Sequence, residues 1–329
     1  MALINILLAA YKGGEYLPVQ LDSILEQTFQ DFAVYIRDDA SPDNTVDIMN
    51  YYVRNYPGKI RIIENDQPSG SAKNNFFKLI DYPEYDGEYF MFCDQDDFWL
   101  PEKIQITLDE MRLTEEQTGR DKPILIHTDL EVVDQNLQTT ARSFVKYQGL
   151  KPKQKSLQNL LVQNNVTGCA VMVNRALLEL SKLGRVEQSN EPNPVGARPA
   201  PPQAVLMHDW WMGLIAAAMG EIRFVDRQTI KYRQHQSNQV GAKNIYDPKY
   251  IVSQIKTKLK NKEKYASTSA QAKLFYEIFG DKLADDKRKL LDKYTSLPEK
   301  GKLMRWYYVI KCGFWMQGIS RKIAQLIFG

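Results

Sequence analysis

The chain has 329 residues, of which 43% are hydrophobic and 25% are charged. This length can bury a substantial core, as one large domain or as one domain with an appendage. The ordinary charged fraction argues against wholesale disorder. The cysteines show no paired spacing, which favours a reducing compartment and indicates neither a disulfide framework nor a cysteine zinc site: Cys93, Cys169 and Cys312.

The net charge is only +3, but it is unevenly distributed, because lysines crowd the stretch after Ala242. Such asymmetry suggests a tail that meets an anionic surface. The opening segment MALINILLAAYKGGEY has no basic region or clear cleavage site, so it predicts a buried strand instead of a signal peptide. No stretch reaches about 18 uninterrupted apolar residues, so we expect no spanning helix and a cytoplasmic protein.

Strands and helices alternate in the first hundred residues. The predicted order is a strand at Leu3–Ala10, a helix on Leu17, Leu21, Ile24 and Leu25, a strand at Phe32–Ile36, a helix at Val46–Tyr52, a strand at Ile60–Ile63, a helix from Ser71 towards Ile80, and a strand at Tyr89–Cys93. Short connections imply βαβ units and a parallel sheet. Ligands of open sheets bind outside the carboxyl ends of the strands, so polar groups there are candidates for the site.

The order of elements is less regular beyond Pro101. The predicted elements are strands at Ile124–His127, Gly168–Val173 and Phe224–Ile230, and helices at Leu157–Val162 and Met207–Met219. The segment Glu187–Gln203 is rich in Pro, Asn, Ser and Gly and predicts a long loop, either a functional lid or a surface insertion. Composition places a domain boundary between residues 1–241, which contain the alternating strands and helices, and residues 242–329, a lysine-rich helical region.

Three carboxylates directly follow the predicted strand in YFMFCDQDDFWLPEK: Asp94, Asp96 and Asp97. Like charges at a strand end repel one another, so the group needs a cation or strong hydrogen-bond donors. A hard ion such as Mg²⁺ or Mn²⁺ fits, since it takes oxygen ligands from carboxylates and substrate phosphates. The alternative is a solvated acidic turn, but the position at a strand end favours the metal.

A second carboxylate pair, Asp38 and Asp39, ends another predicted strand in VYIRDDASPDNT. A carboxylate at this edge can accept the imide N–H of uracil or thymine. It can instead cap the following helix, and the pair alone does not decide between the two.

Three segments together carry a family resemblance: INILLAAYKGGEYL, QLDSILEQTFQDFAVYIRDDASPDNT and YFMFCDQDDFWLPEK. They resemble the family 2 glycosyltransferases, over Leu3–Gln105 with several motifs in order and more loosely to about Gly241. DQDDFWLPEK and MHDWW are most similar to the rhamnosyltransferases of bacterial cell-wall polysaccharides. The implied fold is α/β of the GT-A type, a Rossmann-like nucleotide-binding mixed sheet flanked by helices, with a C-terminal helical extension.

The resemblance also implies site residues. Those assigned to the nucleotide-sugar are Ala10 and Tyr11 in the first loop, Asp39 and its neighbour Asp38 at the pyrimidine, Lys73, Asp94, Gln95 and Arg233. The implied cofactor is Mg²⁺ or Mn²⁺, with Asp94, Asp96 and His235 as its ligands. Asp96 is the expected direct ligand, and Asp97 is expected to support Asp96 without contacting the ion itself.

The expected catalytic base is Asp209, because HDWW resembles the Glu-Asp motif of the family. His208 replaces the family's Glu, which leaves the role of position 208 open. Asp209 can alternatively be a charge that the helix dipole favours. Trp210 and Trp211 can stack on an acceptor sugar, although helix aromatics more often serve the core.

The activity that the resemblance implies is inverting, metal-dependent transfer of a sugar to a lipid-linked glycan in cell-wall or capsular polysaccharide synthesis. L-Rhamnose from dTDP-rhamnose is the first expectation, and a UDP-hexose or UDP-N-acetylhexosamine donor is the alternative.

Other classes fit less well. A nucleotidyltransferase shares the topology, but it typically has a glycine-rich basic phosphate loop near the first strand, and AAYKGGEY is a poor example. No G-x-G-x-x-G follows that strand, which disfavours a dehydrogenase. The acidic cluster would repel nucleic-acid phosphates, so no nucleic-acid partner is expected. The intact cluster also disfavours an inactive scaffold.

No acidic residue follows Glu299, while basic residues alternate with apolar ones at helical spacing. Basic amphipathic helices with aromatic residues suit an anionic membrane surface. The alternative is packing on the same domain or on a partner subunit in a homo-oligomer. We therefore expect a peripheral location at the inner face of the cell membrane.

Overall fold

A computed structural model describes residues 2–65, 67–183, 204–235, 241–242, 258–318, 321–323 and 325, with residues 258–265 described in their backbone only. The predicted loop Glu187–Gln203 lies outside the described residues, as do residues 243–257 of the lysine-rich region. The division at 241/242 therefore stays a prediction. None of the helices within the described ranges combines the length and hydrophobicity that crossing a bilayer requires.

Nine strands among the described residues form one mixed sheet. They are β1 (Ile4–Ala10), β2 (Phe32–Asp38), β3 (Ile60–Ile62), β4 (Tyr89–Asp94), β5 (Phe98–Trp99), β6 (Ile124–Val133), β7 (Thr139–Ala141), β8 (Val171–Asn174) and β9 (Glu221–Arg233). Their spatial order is β3-β2-β1-β4-β8-β6-β9-β5, with β7 on β6. Strands β1 to β4 pair in parallel, whereas β8 runs antiparallel to both β4 and β6. The first four strands in chain order thus form the parallel sheet that the βαβ pattern predicts.

Helices flank this sheet on both faces. They are α1 (Leu17–Leu25), α2 (Thr45–Asn55), α3 (Ala72–Asp81), α4 (Lys103–Thr118), α5 (Phe144–Tyr147), α6 (Leu157–Val162), α7 (Arg175–Lys182), α8 (His208–Met219), α9 (Lys258–Phe279), α10 (Asp285–Thr295) and α11 (Lys302–Cys312). The arrangement confirms the implied mixed sheet flanked by helices, with a helical C-terminal region.

The sheet separates two hydrophobic clusters, because alternate residues of β1 point to opposite faces. Ile4, Ile6 and Leu8 enter one cluster and Leu7 the other. The C-terminal helices add to the second cluster. The Trp211 ring of α8 packs against two rings of α9, with centroids 5.5 and 6.0 Å away: Phe275 and Phe279. The C-terminal helices therefore share their core with α8.

The structure differs from the predicted elements in several places, and the short elements β5, β7, α5 and α7 were not predicted. Helix α4 was not predicted, because only a narrow apolar stripe, including Ile104, Leu108 and Met111, marks its buried side. The predicted strand Gly168–Val173 begins as a 3₁₀ turn, and β8 starts only at Val171. The predicted strand Phe224–Ile230 is part of the longer β9, because pairing with β6 continues to Arg233.

Candidate active site

The register of the parallel strands brings the predicted polar groups to one edge of the sheet. Ala10 of β1 lies beside Asp38 of β2, and Ala9 lies beside Asp94 of β4. The first loop, the Asp38–Asp39 pair and the acidic cluster thus begin at neighbouring points, as the strand pattern predicts.

The loop after β1 is joined to the acidic cluster through Gln95. The Tyr11 amide donates to Gln95 Oε1 at 2.7 Å, and Gln95 Nε2 donates to the Tyr11 carbonyl at 2.7 Å. A Cβ on Gly13 would lie 2.5 Å from Gln95 Oε1, so any side chain at this position would displace the Gln95 amide. Lys12 adopts a φ of 54°, a left-handed conformation that non-glycine residues rarely take. The Gln95 side chain, expected at the nucleotide, therefore holds the loop after β1 in place.

Asp39 is held by several donors. Its oxygens accept hydrogen bonds from the Ser69 and Gly70 amides at 2.5 and 3.0 Å. Arg37 Nη1 donates to the same carboxylate at 3.1 Å. Burial acts to raise the pKa of Asp39, but these hydrogen bonds and the Arg37 charge outweigh burial and lower the pKa. Asp39 is therefore a fixed anion at the sheet edge.

Asp38 and α3 fix the rest of this edge. The Ser41 amide donates to Asp38 at 2.7 Å, and Ala40 between them has a φ of 59°. From α3, Asn75 Nδ2 donates to the Ala10 and Arg37 carbonyls, both at 3.2 Å. The ends of β1 and β2 are thus held together by a buried amide side chain.

The acidic cluster combines carboxylates with a buried thiol. Asp94, Asp97 and Cys169 each offer a ligand atom, and these atoms lie within 4.8 Å of one another. Burial, together with the charges of Asp96 and Asp209, raises the pKa of Asp94 to about 7. Burial and the neighbouring carboxylates also raise the pKa of Asp97. Such mutual repulsion is what a bound cation relieves, so the carboxylates fit a divalent metal.

Cys169 fits the metal less well than the carboxylates do. Burial raises the pKa of its thiol, as do the charges of Asp97 and Asp94. A protonated thiol donates to carboxylates, whereas Mg²⁺ and Mn²⁺ prefer oxygen ligands. Within this group of three, the residues that fit such an ion are therefore Asp94 and Asp97.

Asp96 and the end of β9 meet on the other side of the cluster. Asp96 Oδ2 lies 2.8 Å from His235 Nε2, and the His235 ring stacks near Tyr16 with centroids 4.8 Å apart. Arg233 Nε donates to the Asp96 carbonyl at 2.7 Å, and its amide donates to Asp97 at 3.1 Å. The structure thus brings Asp96 together with Arg233 and His235, which share a distant segment of the chain.

Lys103 lies behind the cluster and was missed by the sequence analysis. It is fully buried, and its ammonium lies 4.6 Å from the centroid of the Trp99 ring. Burial lowers the pKa of Lys103 to about 8, against the charges of Cys169, Cys93 and Asp97. A buried cation here offsets part of the cluster's negative charge.

Asp209 lies in the first turn of α8, as predicted, and is 7% exposed. Burial raises its pKa to about 6, against hydrogen bonds from the Trp210 amide, the Asn164 side chain and the Gly168 amide. Its charge acts on Asp94, so the two carboxylates are close enough to interact. Asp209 is therefore a buried carboxylate beside the acidic cluster, at the positive end of a helix dipole.

The remaining predicted residues either pack in the core or form a hydrogen bond to another segment of the chain. Trp211 is fully buried, and Trp210 Nε1 donates to the Leu160 carbonyl at 2.6 Å, so both tryptophans belong to the core. The His208 ring lies 4.1 Å from the Phe76 ring, which places position 208 in the core. Lys73 Nζ donates to the Val205 carbonyl at 3.3 Å, beside the strand ends.

Four neighbours of the candidate site were not predicted from the sequence: Arg37, Asn75, Lys103 and Cys169. Arg37 had a detectable signal, because a basic residue directly precedes the Asp38–Asp39 pair in a buried strand. The other three act across elements that are distant in the chain, and no local pattern marks them.

The mixed sheet flanked by helices, with an acidic cluster at its edge and a buried carboxylate at the start of α8, matches the GT-A fold of glycosyltransferases. Residues 5–179 match the family described as "Glycosyl transferase family 2". The chain therefore belongs to glycosyl transferase family 2 and is a glycosyltransferase, as the resemblance implied.

Individual relatives agree with this class. The chain is 28% identical over 247 residues to the dTDP-rhamnosyl transferase RfbG of Shigella flexneri, covering 74% of this chain and 76% of that protein. It is 33% identical over 106 residues to the UDP-Glc:alpha-D-GlcNAc-diphosphoundecaprenol beta-1,3-glucosyltransferase WfaP of Escherichia coli, covering 32% of this chain and 39% of that protein. The crystal structure of S. aureus TarS 1-349 in complex with UDP is similar in fold, with a TM-score of 0.53 at 15% identity, covering 90% of this chain and 70% of that chain.

Proposed function

We propose that this glycosyltransferase moves a sugar from a nucleotide diphosphate donor to a lipid-linked glycan, with inversion at the anomeric carbon. The observation that carries the proposal is the meeting of three strand ends at one edge, next to the buried Asp209. The edge offers the pyrimidine a fixed anion in Asp39, and it offers the diphosphate a metal-fitting cluster around Asp94.

The proposed donor is dTDP-rhamnose. It rests on the similarity to the dTDP-rhamnosyl transferase, which spans about three quarters of both chains. A UDP-hexose or UDP-N-acetylhexosamine is the second candidate. It rests on the UDP-Glc glucosyltransferase relative and on TarS, whose fold is similar and which was crystallised with UDP and with UDP-GlcNAc.

In the proposed reaction, an acceptor hydroxyl attacks the anomeric carbon while the bond to the diphosphate oxygen breaks. Asp209 accepts the hydroxyl proton, and a pKa of about 6 leaves it ionised near neutral pH yet sufficiently basic. One displacement inverts the anomeric configuration, and the nucleoside diphosphate leaves.

A bound Mg²⁺ or Mn²⁺ supplies charge stabilisation for the leaving diphosphate. Asp94, Asp96 and His235 would hold the ion: His235 Nε2 lies 2.8 Å from Asp96 Oδ2. Asp97, which has a carboxylate oxygen within 4.8 Å of one of Asp94, would be a further oxygen donor. Arg233 holds the Asp96 backbone and the Asp97 side chain in place. We place the reaction at the inner face of the cell membrane, where a lipid-linked acceptor is confined.

The first experiment identifies the reaction and the donor. Full-length protein is incubated with dTDP-rhamnose and with common UDP-sugars, with and without Mn²⁺, and the products are analysed. We expect a nucleoside diphosphate to be released in a metal-dependent way, and the transferred sugar to have the opposite anomeric configuration. Release of pyrophosphate would instead identify a nucleotidyltransferase.

The second experiment tests Asp209 as the base. Asp209→Asn should keep the affinity for the donor while transfer falls by roughly 10²- to 10⁴-fold, the usual contribution of a general base. Asp226→Asn on the exposed part of β9 is the matched control and should transfer like the parent. An active Asp209→Asn variant would remove Asp209 from this role.

The third experiment tests the metal. Mn²⁺ and dTDP together should raise the melting temperature of the parent, and Asp96→Ala should abolish the joint effect. Unchanged stabilisation in that variant would reject Asp96 as a ligand.

A further inference from the structure

Helix α11 exposes large apolar side chains to solvent. Leu303 is 79% exposed, Ile310 64%, Tyr307 49% and Met304 47%, whereas Val309 on the opposite side is buried. Residues spaced by three and four lie on one face of a helix, so Leu303, Tyr307 and Ile310 form a continuous stripe. A contiguous exposed patch of this kind marks an interaction surface.

Basic side chains border this stripe. Lys302 lies 5.1 Å from the centroid of the Trp306 ring, and Lys311 Nζ donates to the Tyr307 hydroxyl at 2.6 Å. No acidic residue follows Glu299 in the chain. We call the exposed side chains of Leu303, Met304, Tyr307 and Ile310, with Lys302 and Lys311, the basic–apolar face.

The basic–apolar face is fixed to the body of the enzyme. Phe314, just after α11, is fully buried, and its ring lies 5.0 Å from the Tyr294 ring of α10. The Gln317 amide donates to Gln163 Oε1 at 2.9 Å, at the end of α6. Helix α6 in turn holds α8, the helix of Asp209, through the bond from Trp210 to Leu160. A ligand on this face would therefore orient α8 and, with it, Asp209.

We propose that the basic–apolar face binds the surface of an anionic lipid bilayer, with α11 lying in the plane of the interface. Apolar and aromatic side chains enter the headgroup boundary, while lysines extend to the phosphates. Helix α11 has 11 residues, about half the length needed to span a bilayer. The proposal rests on the membrane location proposed above and names the surface that makes the contact.

Charge favours this occupant over a second copy of the chain. In a symmetric dimer the face would meet itself, which would bring two sets of lysines together without acidic partners. An anionic bilayer supplies both the negative charge and the apolar layer that the face lacks.

Vesicle co-sedimentation of the full-length protein tests the proposal. The probes are vesicles of phosphatidylcholine alone and vesicles with roughly one third phosphatidylglycerol. We expect the parent to bind the anionic vesicles at least tenfold more strongly than the neutral ones, and less strongly as salt rises, because charge contributes on the order of a few-fold per lysine.

Two double variants separate the apolar contribution to vesicle binding from the contribution of charge. Leu303→Gln with Ile310→Gln removes apolar contact, and Lys302→Gln with Lys311→Gln removes charge; each should weaken binding to anionic vesicles by roughly tenfold or more. All four side chains are exposed, so the fold should persist. Leu113→Gln, at a 48% exposed leucine of α4, is the matched control and should bind like the parent.

Parent-like binding by both double variants would overturn the proposal. So would sedimentation velocity showing a parent dimer that the variants convert to monomers, with no vesicle binding by the parent. The stabilisation by dTDP and Mn²⁺ in vesicle-free solution should be equal in all variants. If that stabilisation is missing throughout while vesicle binding persists, the proposed reaction fails and the membrane surface stands.

Discussion

Two hydrogen bonds of 2.7 Å connect Gln95 to Tyr11 and hold the loop after β1 to the acidic cluster. We call this pair of bonds the joint, and it leads to a quantitative prediction about nucleotide binding. At about 1 kcal/mol for each bond, Gln95→Ala should cost about 2 kcal/mol of loop ordering. If the ordered loop contacts the donor, the Kd for dTDP in the presence of Mn²⁺ should rise roughly 30-fold.

Gly13→Ala should have the same effect without touching either bonded group. The added Cβ would lie 2.5 Å from Gln95 Oε1, so the amide must move away and both bonds break. The displaced atom ends a flexible side chain, so the fold should persist, and the free energy of unfolding should fall by no more than about 2 kcal/mol, the contribution of the two lost bonds. Gly301→Ala is the control, because a Cβ there meets nothing within 4 Å.

The double variant decides the matter. Once Gln95→Ala has removed the obstacle, Gly13→Ala should add almost nothing, so the two effects should be strongly non-additive. Isothermal titration with dTDP and Mn²⁺ measures all four proteins. Two effects that multiply to roughly 900-fold, or a Gly13→Ala variant with the parent Kd, would refute the role of the joint.

Three further predictions concern charge. Burial lowers the pKa of His127 to about 3, whereas in the unfolded chain the imidazole takes up a proton below a pKa of about 6.5. The free energy of unfolding should therefore fall by about 2 kcal/mol between pH 7 and pH 5. In urea unfolding, His127→Gln should abolish this pH dependence, and a variant with the pH dependence of the parent would contradict the prediction. Lys103→Met should stabilise the fold by roughly 1 to 3 kcal/mol at neutral pH in chemical denaturation, because burial lowers the pKa of Lys103 to about 8 and the folded chain therefore disfavours its charged form; a variant less stable than the parent would contradict this. The rate of transfer should rise with pH up to about 6 and then level as Asp209 ionises, whereas a rate already constant down to pH 5 would speak against this base.

Much of the fold could be predicted from the sequence, because alternating apolar runs and helix-spaced leucines specify βαβ units locally. The strands β1 to β4 and the helices between them are found where the pattern predicts them. Parallel strands end at a common edge, so the positions of Asp38, Asp94 and Asp96 at the site also followed from the pattern. The antiparallel β8 and helix α4 did not, because their pairing and burial depend on distant segments.

The sequence by itself therefore determined the carboxylates at the strand ends, since local periodicity and chain order place them there, and its family resemblance indicated the class of enzyme. Only the tertiary structure decided which side chains serve the site and which serve the core. It joined Gln95 to Tyr11 and His235 to Asp96, and it buried Lys103 and Trp211. Each of these relations spans dozens of residues or depends on burial, and long-range contacts of this kind are set by packing and not by local sequence.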